Sequence, residues 1–218
     1  MLEMNATPRL RRVKQSYTTG ARSLASRSVT SLARTGVTPN VLTATGVSLC
    51  LAAAVLVPFE NHGTLLFFWL AAGIFVVGSL LDILDGALAR VGGKTTPFGA
   101  FIDSTTDRVG EGTMLAAIAL VFARHGRDWA VVLAVAAVVG SFLVSYTRAR
   151  AEALGLRGDV GIGSRAERVV VITAGLVLAP WGVLPWSLVL LACTAWITVG
   201  QRVLHVRKQL RHREEQTL

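Results

Sequence analysis

Four aspartates carry the chemistry this sequence suggests. Asp82 and Asp85 stand three residues apart, and Asp103 and Asp107 stand four apart. On helices, either spacing puts both carboxylates on one face. All four fall inside apolar runs, where an ionised group is costly unless it has partners or a water-filled cavity. The nearby cations are Arg90 and Arg108, and two guanidiniums cannot neutralise four carboxylates. Carboxylates gathered within a few ångströms repel strongly unless cations sit among them. A ligand set made of oxygen, with no His or Cys, favours Mg²⁺ or Mn²⁺ over zinc. Two such ions could clamp a diphosphate and stabilise both attacking and leaving oxygens.

These side chains need a scaffold, and the composition says which kind. The 218 residues are 52% hydrophobic and only 16% charged, with net charge +9. Mean hydropathy is +0.55. Soluble domains carry about 25% charged residues, so an ordinary soluble enzyme, a disordered chain and a disulfide scaffold are excluded. Six apolar segments can be drawn, over 41–59, 65–90, 98–123, 129–149, 165–180 and 184–206. Breaks fall at Pro58, Gly63, Gly92-Gly93, Arg124 to Asp128, Gly155 to Gly163, and Pro180 to Pro185. The reading is an all-α integral membrane protein with six transmembrane helices.

Charge orients it. Nineteen Lys and Arg fall on the side of the two termini, and only Arg124 and Arg127 fall in the opposite loops. Positive charge marks the cytoplasmic side, so both termini are expected on the cytoplasmic side of the cell membrane. Residues 21–34 mix Leu24, Val29 and Leu32 with Arg22, Arg27 and Arg34, which predicts a cytoplasmic interfacial helix. Residues 1–20 read as a basic cytoplasmic tail, 21–206 as one membrane domain, and 207–218 as a mobile basic C-terminal tail attracted to anionic lipid. The positive-inside bias already accounts for the charge, so nucleic acid is not an expected partner. No secretory signal is expected, because the first 40 residues lack a short apolar core.

Depth places the acids. Residues 65–90 make a helix about 39 Å long, more than the roughly 30 Å hydrocarbon core. Its Asp82–Arg90 end should reach the cytoplasmic boundary, accessible to a water-soluble nucleotide and a lipid tail together. The turn from Val91 to Pro97 is short, so the two acid-bearing helices should be antiparallel neighbours. Gly86, Ala89 and Gly99 are small enough for a ligand or helix to approach the backbone. Cys50 and Cys193 read as buried small hydrophobes. His62, His125, His205 and His212 read as surface residues, and Trp129, Trp181 and Trp186 as interface anchors. A cation transporter using the carboxylates is the rival class, but the acids cluster near one face and do not span the depth.

The string Asp82-x-x-Asp85-Gly86-x-x-Ala89-Arg90, eight residues, then Gly99-x-x-x-Asp103-x-x-x-Asp107 resembles the full signature of the CDP-alcohol phosphotransferases. Thr38-Pro39-Asn40, Ser145 to Glu152, Gly155 to Asp159, Arg165-Ala166-Glu167-Arg168 and Gly200-Gln201-Arg202 are similar to its actinobacterial branch making phosphatidylinositol phosphate. The resemblance covers residues 30–206 and implies a homodimer. It also implies transfer of a phosphatidyl group from CDP-diacylglycerol to 1D-myo-inositol 3-phosphate, with release of CMP. By the same resemblance, Asp82, Asp85, Asp103 and Asp107 hold two Mg²⁺ (or Mn²⁺) ions, and Asp107 is also the general base. Asn40, Val41, Leu42, Thr43, Gly86, Arg90 and Thr96 resemble contacts to CDP-diacylglycerol. Arg148, Arg168 and Arg202, at the cytoplasmic ends of three spans, are expected to hold the acceptor's phosphate, and the resembled branch has matching positions. Arg150, Arg157 and Arg165 read as anchors or loop charges. Asn40 and Arg148 depart from the Asp and Lys of close relatives. Glycerol 3-phosphate is the alternative acceptor, since it offers the same anion.

Overall fold

The structure, a computed structural model, describes residues 38–91, 93 and 95–215. The interfacial helix expected over 21–34 and the tail over 1–20 lie outside the described residues. Every regular element among the described residues is helical. We label the helices α1 (Pro39–Leu56), α2 (Thr64–Val91), α3 (Pro97–Arg124), α4 (Asp128–Ala153), α5 (Arg165–Val177) and α6 (Leu184–Glu215). Short 3₁₀ turns at Val57–His62 and Ala179–Trp181 follow α1 and α5.

Local chemistry fixes the starts. Pro39 and Pro97 open α1 and α3 at the first helical turn, where a missing N–H costs nothing. Thr96 caps α3 by accepting a hydrogen bond from Gly99 N at 3.0 Å. Ser164 and Glu167 form a reciprocal capping box at the start of α5, satisfying two otherwise unpaired donors. Gly155, at φ +68°, turns the chain out of α4, a conformation glycine adopts without a Cβ clash.

The helices pack as a closed ring in the order α1–α2–α5–α6–α4–α3, with α3 returning to α1. The short Val91–Pro97 turn predicted that α2 and α3 would pack side by side. Instead they touch only marginally, and α1 packs against both. Glycine makes this possible. A Cβ added to Gly78 would stand 2.7 Å from Gly46 O, and one on Gly110 would stand 3.1 Å from Cys50 Cβ. Small residues let helices approach this closely. Phe75, Met114, Leu115, Ile118, Leu176 and Leu188 fill the centre.

Leu66, Val132, Val170 and Leu190 are exposed on the outside, an apolar surface suited to lipid. Four helical stretches are long and apolar enough to cross a membrane: Pro39–His62, Thr64–Arg90, Asp128–Ala153 and Leu184–Glu215. Of the other two, α3 carries Asp103, Asp107, Arg108 and Glu111, and α5 has only 13 residues. At 1.5 Å per residue, α5 is about 20 Å long. Residues 207–215 are a helical continuation of α6, where the sequence suggested a mobile tail. Gln209 explains the order: its side-chain amide donates to Arg157 O at 2.8 Å and accepts from Arg157 N at 3.0 Å. At the opposite end of the bundle, His125 is exposed, as the sequence suggested, and touches a buried acid. Its Nε2 lies 3.3 Å from Oε1 of buried Glu60.

Candidate active site

Two helices deliver the acids to one place. α2 brings Asp82 and Asp85, both buried, and α3 brings the partly buried Asp103 and Asp107. One oxygen from each of Asp82, Asp85 and Asp103 can be chosen so that all lie within 4.8 Å of one another. α1 adds Thr43, whose buried hydroxyl donates to Asp85 Oδ2. Asp85 Oδ1 is buried and has no hydrogen-bond partner among the described residues. An orphaned carboxylate oxygen costs desolvation energy without return. Its position beside two further carboxylates fits a divalent cation with oxygen ligands.

Cations are few here. Arg165, at the first position of α5, ion-pairs with Asp82 and places Nη1 2.6 Å from Asp107 Oδ1. Arg108 Nη1 lies 3.6 Å from Asp107 Oδ2, a looser contact. Two guanidiniums thus face four carboxylates, the imbalance expected from the sequence, though with Arg165 in the place expected of Arg90. Arg90 instead folds back over its own helix, its Nη1 3.5 Å from where a Gly86 Cβ would be.

Two cavities meet at the acids. The first, about 600 Å³, lies among the starts of α1 and α3 and the end of α2. Asn40, Thr43, Gly86, Arg90 and Thr96 line it with Asp85 and Asp103. Val41 and Leu42 do not: Val41 is exposed, and Leu42 is buried against Leu88. The second, about 960 Å³, is a groove between α3 and α4. Asp103, Asp107 and Arg108 form one wall, and Tyr146, Arg148 and Glu152 the other. Asp103 borders both.

The three arginines proposed for an acceptor phosphate differ in their freedom. Arg148 is exposed and donates from Nε to Glu152 at 2.8 Å. Arg202 is buried; its Nε donates to Val160 O at 2.9 Å, and its Nη1 donates to Val144 O. Arg168 is buried and forked onto Glu111, with Nε to Oε1 at 2.7 Å and Nη2 to Oε2 at 2.9 Å. Each of the three thus has its own partners in this structure.

Sequence reasoning missed Arg165 and Glu111. Each left a signal. Arg165 puts a cation at a helix N-terminus, against the macrodipole, which makes sense only if carboxylates face it. Glu111 continues the four-residue stripe of Asp103 and Asp107 by one more turn.

A ring of helices with an acid cluster at one end and two roomy cavities beside it could serve a membrane enzyme acting on a phosphate-bearing substrate. The comparisons with known proteins give the class. A family profile for CDP-alcohol phosphatidyltransferase matches residues 36–200, and the chain belongs to that family. It is 40% identical over 183 residues to the phosphatidylinositol phosphate synthase of Mycolicibacterium smegmatis, covering 80% of this chain and 79% of that one. It is 38% identical over 180 residues to the archaetidylinositol phosphate synthase of Pyrococcus horikoshii, covering 82% and 88%. The crystal structure of Mycobacterium tuberculosis phosphatidylinositol phosphate synthase with CDP-diacylglycerol bound superposes with a TM-score of 0.74 at 34% identity, over 84% of this chain and 94% of that one. A second crystal structure of that protein, in complex with manganese and citrate, gives a TM-score of 0.74 at 35% identity, over 84% and 88%.

Proposed function

We propose that this protein transfers the phosphatidyl group of CDP-diacylglycerol to 1D-myo-inositol 3-phosphate, giving phosphatidylinositol phosphate and CMP. The observation that carries the reading is the meeting of Asp82, Asp85 and Asp103 within 4.8 Å at the border of a cavity walled by Asn40, Thr43, Gly86, Arg90 and Thr96. The names of the Mycolicibacterium and Pyrococcus relatives differ in the lipid and share inositol phosphate, which favours that acceptor.

The donor occupies the 600 Å³ cavity, whose wall includes Arg90 and Thr96 and, from α1, Asn40 and Thr43. Asp82, Asp85, Asp103 and Asp107 would hold two divalent ions, Mg²⁺ or Mn²⁺, and ions so held would neutralise charge gathering on the phosphate of the departing CMP. The acceptor enters through the α3–α4 groove, where Asp107 and Arg148 face one another. Asp107 takes the proton from the attacking hydroxyl. That oxygen bonds to the phosphorus bearing diacylglycerol, and the P–O bond to CMP breaks with its electron pair leaving on CMP. General-base help of this kind is worth about 10²–10⁴-fold. The acceptor's own phosphate draws on Arg148 and on Arg165, whose planar guanidiniums suit phosphate, while Arg202 adds positive potential from behind.

The arrangement in the cell follows from the charge map. Six helices cross the membrane, α3 and α5 among them as members of the ring. Both termini lie in the cytoplasm, and the chain works as a homodimer. Purified protein given Mg²⁺, CDP-diacylglycerol and radiolabelled inositol phosphate is expected to make labelled lipid and release CMP. No labelled lipid, with CMP released on glycerol 3-phosphate instead, would reassign the acceptor to glycerol phosphate.

A further inference from the structure

We propose that the end of α6 is a lever that reads the charge of the bilayer: Arg207, Lys208 and Arg211 bind the headgroups of anionic phospholipid, and Gln209 passes that contact to the loop leading into Arg165. The proposal rests on the function and membrane orientation proposed above, and makes that function respond to the surrounding lipid.

Length carries this stretch out of the hydrocarbon. α6 has 32 residues and is about 48 Å long at 1.5 Å per residue, against an apolar core of about 30 Å. Leu190, Ile197 and Leu204 are exposed and recur every two turns, so they form one stripe along the helix. Arg207, Lys208 and Arg211 follow Leu204 by three, four and seven residues and are exposed on the same stripe. A face that turns from apolar to basic within two turns marks the level where acyl chains give way to headgroups. Among the described residues none of the three has an ion-pair partner. Glu215, one turn past Arg211, is taken by His212 at 3.3 Å. Arg207 and Lys208 each lie within one turn of Arg211, a spacing at which like charges repel along a helix. That repulsion exists only while the helix is formed. An anionic surface relieves it and therefore favours the formed helix.

The opposite face of α6 holds the α4–α5 loop, residues 154–164. Gln209 exchanges hydrogen bonds with Arg157, accepting from its N at 3.0 Å and donating to its O at 2.8 Å. Arg213 Nη2 donates to Gly155 O at 3.2 Å. Nearer the bundle, Arg202 Nε donates to Val160 O at 2.9 Å, and Gly163 N donates to Thr198 Oγ1 at 3.0 Å. A Cβ on Gly161 would clash with Thr198 Cγ2, so the loop lies pressed against α6. The loop ends at the Ser164 cap, and Arg165 follows it into the acids. The ties from Gln209 and Arg213 are exposed, and exposed hydrogen bonds at a helix end open first. Whatever keeps 207–215 helical therefore keeps the front of this loop in place, and with it the approach to Arg165.

The test reconstitutes the full chain in vesicles of phosphatidylcholine, alone or mixed with phosphatidylglycerol. CDP-diacylglycerol is held at one level throughout, because the donor is itself anionic. Amide hydrogen exchange reads the loop directly, and KM for inositol phosphate reads the consequence. In the parent, phosphatidylglycerol is expected to slow exchange over 154–164 and 207–215 by at least about fivefold, the lower end of ordinary coupling between sites. R207Q/K208Q/R211Q, altered only on the exposed face, is expected to exchange alike in both vesicles. Q209A keeps every charge and is expected to lose the response over 154–164. The parent's advantage over Q209A in KM for inositol phosphate is expected to grow with phosphatidylglycerol. A parent without the exchange response, or a triple variant that retains it, would overturn the headgroup face. A parental loop response in Q209A would overturn the coupling. Inorganic phosphate that slows exchange in phosphatidylcholine as far as phosphatidylglycerol does would give the face to a soluble anion and overturn the lipid. A parent with the expected exchange pattern that makes no lipid from inositol phosphate would uphold the lever and overturn only the acceptor assignment.

Discussion

Replacing Arg165 with Met should make the stability of the protein depend on divalent metal more steeply. Two unit charges 4.8 Å apart, the outer limit for the Asp82, Asp85 and Asp103 oxygens, repel by about 3.5 kcal/mol at an effective dielectric of about 20. Three such pairs approach about 10 kcal/mol, comparable with the whole stability of a typical domain, about 5–15 kcal/mol. Arg165 offsets part of this through Asp82 and Asp107. A hydrogen bond to a charged group contributes about 1.5–3 kcal/mol. For a chain of this size each kcal/mol moves Tm by about 2–4 °C. In EDTA, Arg165→Met should therefore melt about 3–12 °C below the parent. Saturating Mn²⁺ should close most of that gap. The same 1.5–3 kcal/mol no longer competes with metal, so half-saturating Mn²⁺ should fall about ten- to hundredfold. Fluorescence melting in detergent, with Mn²⁺ titrated against EDTA, reads both quantities. An unchanged Tm in EDTA, or weaker Mn²⁺ binding in the variant, would refute the idea that Arg165 balances the acid cluster.

Other substitutions probe other parts. Asp107→Asn should fold normally and lose about 10²–10⁴-fold in turnover, followed by CMP release; full activity would remove Asp107 as base. Gly46→Ala places a methyl 2.9 Å from Gly78 O and 3.5 Å from Asp82 Cβ; overpacking of this kind costs about 1–3 kcal/mol, seen as a lower Tm together with weaker CDP-diacylglycerol binding. Arg148→Lys should change Tm little, because its exposed pair with Glu152 is worth at most about 1 kcal/mol, but it should raise KM for inositol phosphate and leave KM for CDP-diacylglycerol unchanged.

The helices were legible because apolar runs end at residues with clear turn chemistry. Pro97 after Thr96, and Gly155 after the basic end of α4, stop and start helices by local sterics alone. Neighbour relations were not legible in the same way. A short turn says that two helices are consecutive, not that they touch; Gly46 and Gly78 decide that α1 takes the place beside α2. The C-terminal helix outran its apolar stretch because Gln209 finds Arg157, a contact between distant parts of the chain. The acids were legible because charge in an apolar run has few explanations. Arg165 and Glu111 were harder. Arg165 sits at the edge of an apolar segment where a lipid anchor looks the same, and Glu111 pairs with a residue 57 positions away. Arg168 carried the right charge near the right membrane face, but the sequence could not say that its guanidinium faces Glu111 across the ring.

The most direct test of the account is a crystal grown with Mn²⁺ and read by anomalous scattering. The account predicts metal peaks among the carboxylates of Asp82, Asp85, Asp103 and Asp107, with the Arg165 guanidinium displaced from Asp82. Manganese bound elsewhere, or an acid cluster that keeps Arg165 in place and takes up no metal, would contradict it.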